Sequence, residues 1–187
     1  MNFALFDTAI GRCGIVWSPR GIAGVQLPER SEAATRNRLL RRFPAAREAS
    51  PRHDIQRAID DIGALLGGER RDLNHVAIDF GAAPEFYRRV YEVARRIPAG
   101  ATLSYGEVAE RMGDRALARD VAEALSQNPC PIIVPCHRVL AAGGKPGGFS
   151  APGGVATKLQ LLTIEGAQPE GPMLFDRLPL ATGRLRR

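Results

Sequence analysis

Residues 104–127 read SYGEVAERMGDRALARDVAEALSQ, and the reading of the C-terminal half starts from them. Ser104, with Glu107 three positions on, makes a capping box, in which each side chain bonds the other residue's backbone N–H at the start of a helix. The short helix it opens ends at Met112-Gly113, and Asp114 is placed to cap a second helix running to about Gln127. Two short helices joined by a tight, glycine-containing turn make a helix-turn-helix candidate, a pattern that ordinary helical packing also produces. In the second helix Leu117, Val121, Ala124 and Leu125 recur at spacings of three and four and form the inward face. Arg119, Ala122, Glu123 and Ser126 fall opposite. Ala122 and Ser126 are small enough to let another backbone come close, and Arg119 rises between them. Arg119 is either a solvated arginine in an Arg119–Glu123 pair worth about 0.3–0.5 kcal/mol, or a side chain that enters a DNA groove.

Downstream lies Asn128-Pro-Cys-Pro-Ile-Ile-Val-Pro-Cys136-His137-Arg138-Val139. Ile132 to Val134 reads as a buried strand flanked by prolines. An ordinary buried cysteine needs no neighbouring imidazole or cation, yet Cys136 is followed at once by His137 and Arg138. Only the thiolate is a good nucleophile, so a nearby base is required to take the proton, directly or through a water. Neighbours on an extended strand point to opposite sides, so direct contact between Cys136 and His137 is not assured by sequence. A third group must hold the histidine, and Glu165 is the candidate carboxylate. Residues 141–154 carry six glycines and two prolines, which excludes a regular element. Phe149-Ser150 in the middle of this stretch marks it as a loop that closes on something, rather than as a plain linker. A last helix carries Val155, Leu159, Leu162 and Thr163 and ends at Glu165-Gly166.

Upstream, NFALFDT, RCGIVWS and GIAGVQL have strand character, with turns at Ile10-Gly11 and Arg20-Gly21. A helical stretch has Leu39, Leu40 and Phe43 as its apolar end. A second begins near Pro51, places Ile55, Ile59, Ile62, Leu65 and Leu66 at helical spacing and stops at Gly67-Gly68. His75 to Phe80 is a further strand candidate. Gly81 to Pro84 is the boundary, after which Phe86, Val90, Val93, Ala94 and Ile97 make one face of a helix ended by Pro98 and Gly100.

The chain has 187 residues, enough for one domain or two small ones, and its 44% hydrophobic and 25% charged content excludes global disorder. No apolar run is long enough to cross a membrane, and the N-terminus lacks a signal-peptide pattern, so a cytoplasmic protein is expected. The net charge is +6, and all but two of the 26 cationic side chains are arginines. Arginine presents a planar donor fork suited to phosphates and bases, although GC-rich coding of a solvated surface produces the same bias. Three cysteines, an odd number, argue against a disulfide framework. The scattered His53, His75 and His137 argue against zinc, with Cys13 plus His53 or His75 as the remaining metal alternative.

Pro135-Cys136-His137-Arg138-Val139 is similar to the active-site signature of the O6-alkylguanine-DNA alkyltransferases, the methylated-DNA–protein-cysteine methyltransferases. Ser104-Tyr105, Ala118-Arg119, Asn128-Pro129, the Gly-Phe-Ser loop and Leu161-Leu162…Glu165-Gly166 follow in family order. The resemblance covers residues 84–167 closely, and FDTAIGRCGIVW resembles the N-terminal domain of bacterial members more loosely. It implies an α+β fold: a small RNase-H-like α/β domain over 1–80, a mostly helical, winged-helix-like domain with the helix-turn-helix over 84–167, and a loosely held basic tail over 168–187.

The function implied is repair of duplex DNA containing O6-alkylguanine, with O4-alkylthymine as a further substrate open to it. The second helix would lie in the minor groove, and the damaged base would be flipped out because a duplex hides the reacting atom. Arg119 would fill the gap and Tyr105 would help turn the nucleotide, with Ala122, Leu125 and Ser126 on the contacting helix. The base would lie against the carbonyls of Cys136 and Val139, with Phe149 and Ser150 closing over it. Cys136 would accept the alkyl group, His137 polarised by Glu165 would take the thiol proton through a water, and Asn128 would brace the turn. Each molecule would act once, as a monomer, without metal, organic cofactor, membrane or obligate protein partner. Asp120 and Glu123 depart from the usual neutral or small residues, Phe149 stands where tyrosine is frequent, and Ala151-Pro152 lengthens the loop. The alternative within the superfamily is a noncatalytic lesion-binding module that recruits other repair factors, a class that lacks the cysteine. A Cys-His hydrolase is a third reading, but no oxyanion-hole motif accompanies Cys136.

Overall fold

The computed structural model describes residues 1–167, so the expected basic tail lies outside the described residues. Strands β1 (Asn2–Thr8), β2 (Gly11–Ser18) and β3 (Gly21–Gln26) form an antiparallel meander, from the three segments read as strands with turns between them. Gly21, at the second turn, has φ +143°, and a Cβ there would lie 2.5 Å from the Ala77 carbonyl oxygen, so a side chain has no place. Helix α1 (Glu32–Arg42) starts at Ser31, whose side chain accepts from the Ala34 N–H. A two-residue strand, β4 (Arg47–Glu48), then adds in parallel to β1, giving the order β3-β2-β1-β4. Helix α2 (His53–Leu66) follows. The period-2 pleat sends Phe3, Val16 and Ala23 to one face with Leu39 of α1. It sends Phe6, Ile15 and Trp17 to the other face with Ile55, Ile59 and Ile62 of α2.

The expected strand over His75–Phe80 is reduced to a single bridge between Ile22 and Ile78. The Asp79 N–H donates to the Ile22 carbonyl at 2.8 Å, and the Asp79 carboxylate accepts from Ser18 Oγ at 2.5 Å, Arg20 Nε at 3.2 Å and the Gly81 N–H at 3.0 Å.

The second half is built from α3 (Glu85–Arg95), β5 (Leu103–Ser104), α4 (Tyr105–Arg111), α5 (Ala118–Ser126), β6 (Val139–Leu140) and α6 (Val155–Ile164). The capping box forms, with Glu107 N–H on Ser104 Oγ at 3.2 Å and Ser104 N–H on Glu107 Oε2 at 2.6 Å. Asp114 caps a single 3-10 turn, Arg115–Leu117, which feeds into α5. Val121, Ala124 and Leu125 of α5 are buried and Leu117 is half-buried, so the inward face is the expected one. Burial of side chains the size of Val121 and Leu125 contributes about 1.5–3 kcal/mol each, which is what holds so short a helix.

Ile132–Val134 is not a strand. The chain makes a tight turn there, closed by the Val134 N–H on the Cys130 carbonyl at 2.8 Å, with Ile132 at φ +77°. Pro129, Pro131 and Pro135 have no N–H to give a ladder, so the buried apolar run is folded as a turn. Cys136–Arg138 continue as one turn of 3-10 helix, which replaces the extended backbone expected at the cysteine.

The two halves share one apolar cluster, in which Ile15, Ile22 and Val25 of the sheet meet Val90, Tyr91, Val121 and Ile132. Polar ties cross the same boundary: the Val25 N–H donates to the Pro129 carbonyl at 2.9 Å, and Arg95 Nη2 donates to the carbonyls of Leu73, Asn74 and Val76 at 2.8–3.1 Å. The sheet thereby braces the turn that carries Cys136.

Candidate active site beside the helix-turn-helix

Asn128 leaves the end of α5 and fixes the turn that follows. Its Oδ1 accepts from the Cys130 N–H at 2.9 Å, and its Nδ2 donates to the Val134 carbonyl at 2.8 Å and to Cys136 Sγ at 3.2 Å. Cys136 is 8% exposed, whereas Cys13 and Cys130 are wholly buried. Burial pushes the Cys13 thiol up to about 11 and the Cys130 thiol up to about 12. Burial raises Cys136 as well, opposed by the Asn128 hydrogen bond and the Lys158 charge. At neutral pH Cys136 therefore rests as a thiol, and a proton must leave it during reaction.

His137 is fully buried, and its Nε2 lies 2.9 Å from Glu165 Oε1. Glu165 also receives Arg138 Nε on Oε2 at 2.8 Å and Arg138 Nη2 on Oε1 at 2.7 Å, while Arg138 Nη1 donates to the Ile97 carbonyl at 2.5 Å. Burial alone would raise the Glu165 carboxyl, but the hydrogen bonds from His137 and Arg138 overcome it and hold the group at about 2. Burial lowers the proton affinity of His137, partly countered by Glu165. A neutral imidazole that donates from Nε2 to a carboxylate carries its lone pair on Nδ1, and His137 Nδ1 has no hydrogen-bond partner among the described residues. The His137–Glu165 pair is thus set up to accept a proton at Nδ1.

A pocket of about 410 Å³ opens on Cys136, lined by Tyr105 from α4, Ala122, Leu125 and Ser126 from α5, and Phe149 and Ser150 from the glycine loop. Elements far apart in sequence converge on the thiol because the 3-10 turn lies between the end of α5 and the loop. Arg119 is not in this wall. It is exposed, one turn before Ala122, and of the two readings of Arg119 the Arg119–Glu123 pair does not form: among the described residues Arg119 makes no ion pair, and Glu123 accepts instead from Tyr87 Oη at 3.4 Å. Tyr87, on the neighbouring α3, offers Glu123 a donor without the ordering of a long arginine side chain. Asp120 is also exposed.

The Val139 carbonyl accepts from Lys158 Nζ at 2.6 Å, and the Cys136 carbonyl accepts from the Val139 N–H. Each carbonyl oxygen keeps a second lone pair for a ligand. Lys158 was not singled out by sequence reasoning. It is fully buried, reaches the Gly148 carbonyl at 3.5 Å, lies over the Tyr105 ring at 5.9 Å, and burial lowers it to about 8. The available signal was its place on α6: Lys158 stands three and four positions before the buried Leu161 and Leu162, so the inward face of α6 includes it, while Val155 and Thr163 are exposed. Arg138 as the second holder of Glu165 was also missed, since adjacency to His137 does not reveal where a guanidinium reaches. The metal alternative at Cys13 is not assembled: no group of three or more His, Cys, Asp and Glu side chains among the described residues is placed to hold an ion.

Fold and site together define a mixed α and β protein that presents a buried thiol beside a helix-turn-helix. Residues 85–167 match the family described as 6-O-methylguanine DNA methyltransferase, DNA binding domain. The chain is 37% identical over 158 residues to the methylated-DNA–protein-cysteine methyltransferase of Methanothermobacter thermautotrophicus, which covers 84% of this chain and 81% of that protein. It is 41% identical over 120 residues to the corresponding protein of Mycolicibacterium paratuberculosis, covering 64% of this chain and 70% of the relative. The crystal structure of Mycobacterium tuberculosis OGT in complex with DNA superposes with a TM-score of 0.72 at 29% identity, over 89% of this chain and 93% of that one. The chain belongs to the methylated-DNA–protein-cysteine methyltransferase family.

Proposed function

We propose that this protein repairs DNA by moving the alkyl group of O6-alkylguanine to Cys136 in a single turnover, and that it does so in the cytoplasm. The observation that carries the reading is Cys136 itself. It lines a pocket that opens beside a helix-turn-helix, the other two cysteines are wholly buried, and the two residues after it meet a buried carboxylate.

In this reading α5 lies in the minor groove of the duplex and Arg119 takes the place of the flipped nucleotide. With no ion partner among the described residues, it is available for that contact. The base enters between Tyr105 and Phe149, with the free lone pairs of the Cys136 and Val139 carbonyls and the Ser150 loop on its edges. The Cys136 proton passes to His137 Nδ1 through a water, and Glu165 offsets the charge that develops on the ring. Sulfur forms its bond to the alkyl carbon as the carbon–O6 bond breaks, the electron pair goes to O6, and the guanine takes up the proton. The product is a thioether with no route back to the thiol, so the protein is consumed. O4-alkylthymine is the further substrate of the same chemistry.

Cys136 places this reading above that of a noncatalytic lesion-binding module. The test is incubation with duplex DNA carrying O6-methylguanine, followed by peptide mapping. One methyl group per protein should appear on the Cys136 peptide. Its appearance on Cys13 or Cys130, or transfer by Cys136→Ser, would overturn the assignment.

A further inference from the structure

Cys136 borders a second pocket as well as the one facing the helix-turn-helix. This second pocket, of about 200 Å³, lies between the glycine loop and the N-terminal half, and shares Ser126, Cys136, Phe149 and Ser150 with the first. Its far wall is Gln26, Arg38 and Arg42, and among the described residues no acidic side chain lines it. Arg38 Nη1 pairs with Glu29 Oε1 at 2.9 Å. Among the described residues Arg42 binds neutral oxygens only: the Val25 carbonyl at 3.2 Å, Gln26 Oε1 at 3.4 Å and the Pro129 carbonyl at 3.1 Å. Two guanidiniums thus face one small pocket with a single carboxylate between them, and that carboxylate lies outside the lining.

The reaction geometry says what would enter. Displacement at carbon keeps sulfur, carbon and O6 in line, so any substituent on that carbon projects sideways from the axis. With the base in the first pocket and sulfur at the junction, the second pocket is the space beside the axis. A methyl group leaves it empty, whereas a longer substituent extends into the pocket whose lining includes Arg38 and Arg42.

We propose, resting on the reading of Cys136 as the alkyl acceptor, that the second pocket receives the O6 substituent and selects those that end in an anion, a carboxylate such as carboxymethyl above all. Arg42 supplies an unneutralised guanidinium and Arg38 a second that can turn from Glu29, and a fork-shaped donor matches a carboxylate. The step balances as for methyl: sulfur bonds the methylene carbon, the carbon–O6 bond breaks toward O6, the thiol proton ends on guanine, and the carboxylate remains on the cysteine thioether.

The test uses the full chain and three lesions, each as the free base and within duplex DNA: O6-methylguanine, O6-carboxymethylguanine and the neutral isostere O6-carbamoylmethylguanine. Transfer is followed by the mass of the Cys136 peptide. Arg38→Gln and Arg42→Gln should each lower the carboxymethyl-to-carbamoylmethyl rate ratio by about tenfold, the scale of one lost charge-assisted hydrogen bond. Arg38→Lys, which keeps the charge, should recover most of the ratio. A ratio is read within one protein, so partial misfolding of a variant cancels. Unchanged ratios in both glutamine variants would overturn the proposal. So would a loss seen only on duplex DNA and equal for all three lesions, which would make the arginines phosphate contacts. Failure of the wild-type chain to accept methyl from any substrate would instead overturn the underlying alkyl-transfer reading.

Discussion

The 3-10 turn that carries Cys136 and the outer face of α5 lie side by side and are built in opposite ways. Around the turn the charged side chains are buried and most of their polar atoms are bonded: His137 and Arg138 both reach Glu165, Arg138 also reaches Ile97, and Lys158 reaches Val139. On α5, Arg119, Asp120, Glu123 and Ser126 are exposed, and Arg119 has no ion partner among the described residues. The difference teaches which half of the task each region performs. A proton acceptor has to be held in place before substrate arrives, because reorganising charges during reaction costs rate. A surface that meets DNA gains by leaving its cation uncommitted, since a charge already paired must be released before it meets a phosphate or fills a gap.

The contrast breaks first if the buried cluster is dispensable. Glu165→Gln leaves Arg138 buried without its carboxylate and His137 without its acceptor. Removing one partner of a buried ion cluster costs about 3–5 kcal/mol, so urea unfolding should show a loss of that size. Alkyl transfer to Cys136 should slow in the molecules that remain folded. A variant as stable as the parent would show that the cluster contributes specificity without stability.

The next effect is on acid tolerance. Glu165 is held at about 2 in the folded state against an ordinary 4.5, so its contribution is complete above the ordinary value and is lost as pH falls toward 2. The expected loss over that window is on the order of 3 kcal/mol. His137 acts in the same direction: burial lowers it from 6.5, so below that pH the unfolded chain binds a proton that the folded one refuses. Denaturation midpoints measured from pH 7 to pH 3 should fall steadily, and a flat profile would contradict the ionised state assigned to the cluster.

On the α5 side, Arg119→Ala should slow repair of duplex DNA by on the order of 100-fold, the rate equivalent of a few kcal/mol of unstacking. Reaction with free O6-alkylguanine base should be nearly unaffected, because no stack has to be opened. Equal losses on both substrates would move Arg119 from the DNA-facing region to the chemical one and erase the distinction between the two.

The smallest effect sharpens the same comparison. Glu123 faces solvent and is bonded to Tyr87, so it opposes an approaching phosphate without restraining Arg119. Glu123→Gln should tighten duplex binding a few-fold at low ionic strength, with the gain fading as salt screens the charge. Binding titrations of both proteins at several salt concentrations decide it. Weaker binding by the glutamine variant at every salt would show that the Glu123–Tyr87 contact positions the helix.

Local rules determined much of this molecule from sequence alone. The three strands and their turns, α2, α3 and the capping box of α4 follow from periodicity, glycine position and cap chemistry, all set within a few residues. The family signature around Cys136 likewise sits in five consecutive positions. Tertiary structure decided the rest. Pro129, Pro131 and Pro135 flank an apolar run that reads as a strand and offer no N–H to a ladder, and the run folds as a buried turn in which the Val25 N–H takes the Pro129 carbonyl and the Val134 N–H takes the Cys130 carbonyl. Lys158 is buried, against the usual rule for lysine, because the Val139 carbonyl lies within its reach across the fold. Arg38 and Arg42 come from α1, roughly a hundred residues before the cysteine, and no periodicity reports that α1 ends beside the glycine loop. Local propensity is written in neighbouring residues, whereas a charge's partner depends on which distant backbone or side chain the packed core brings to it.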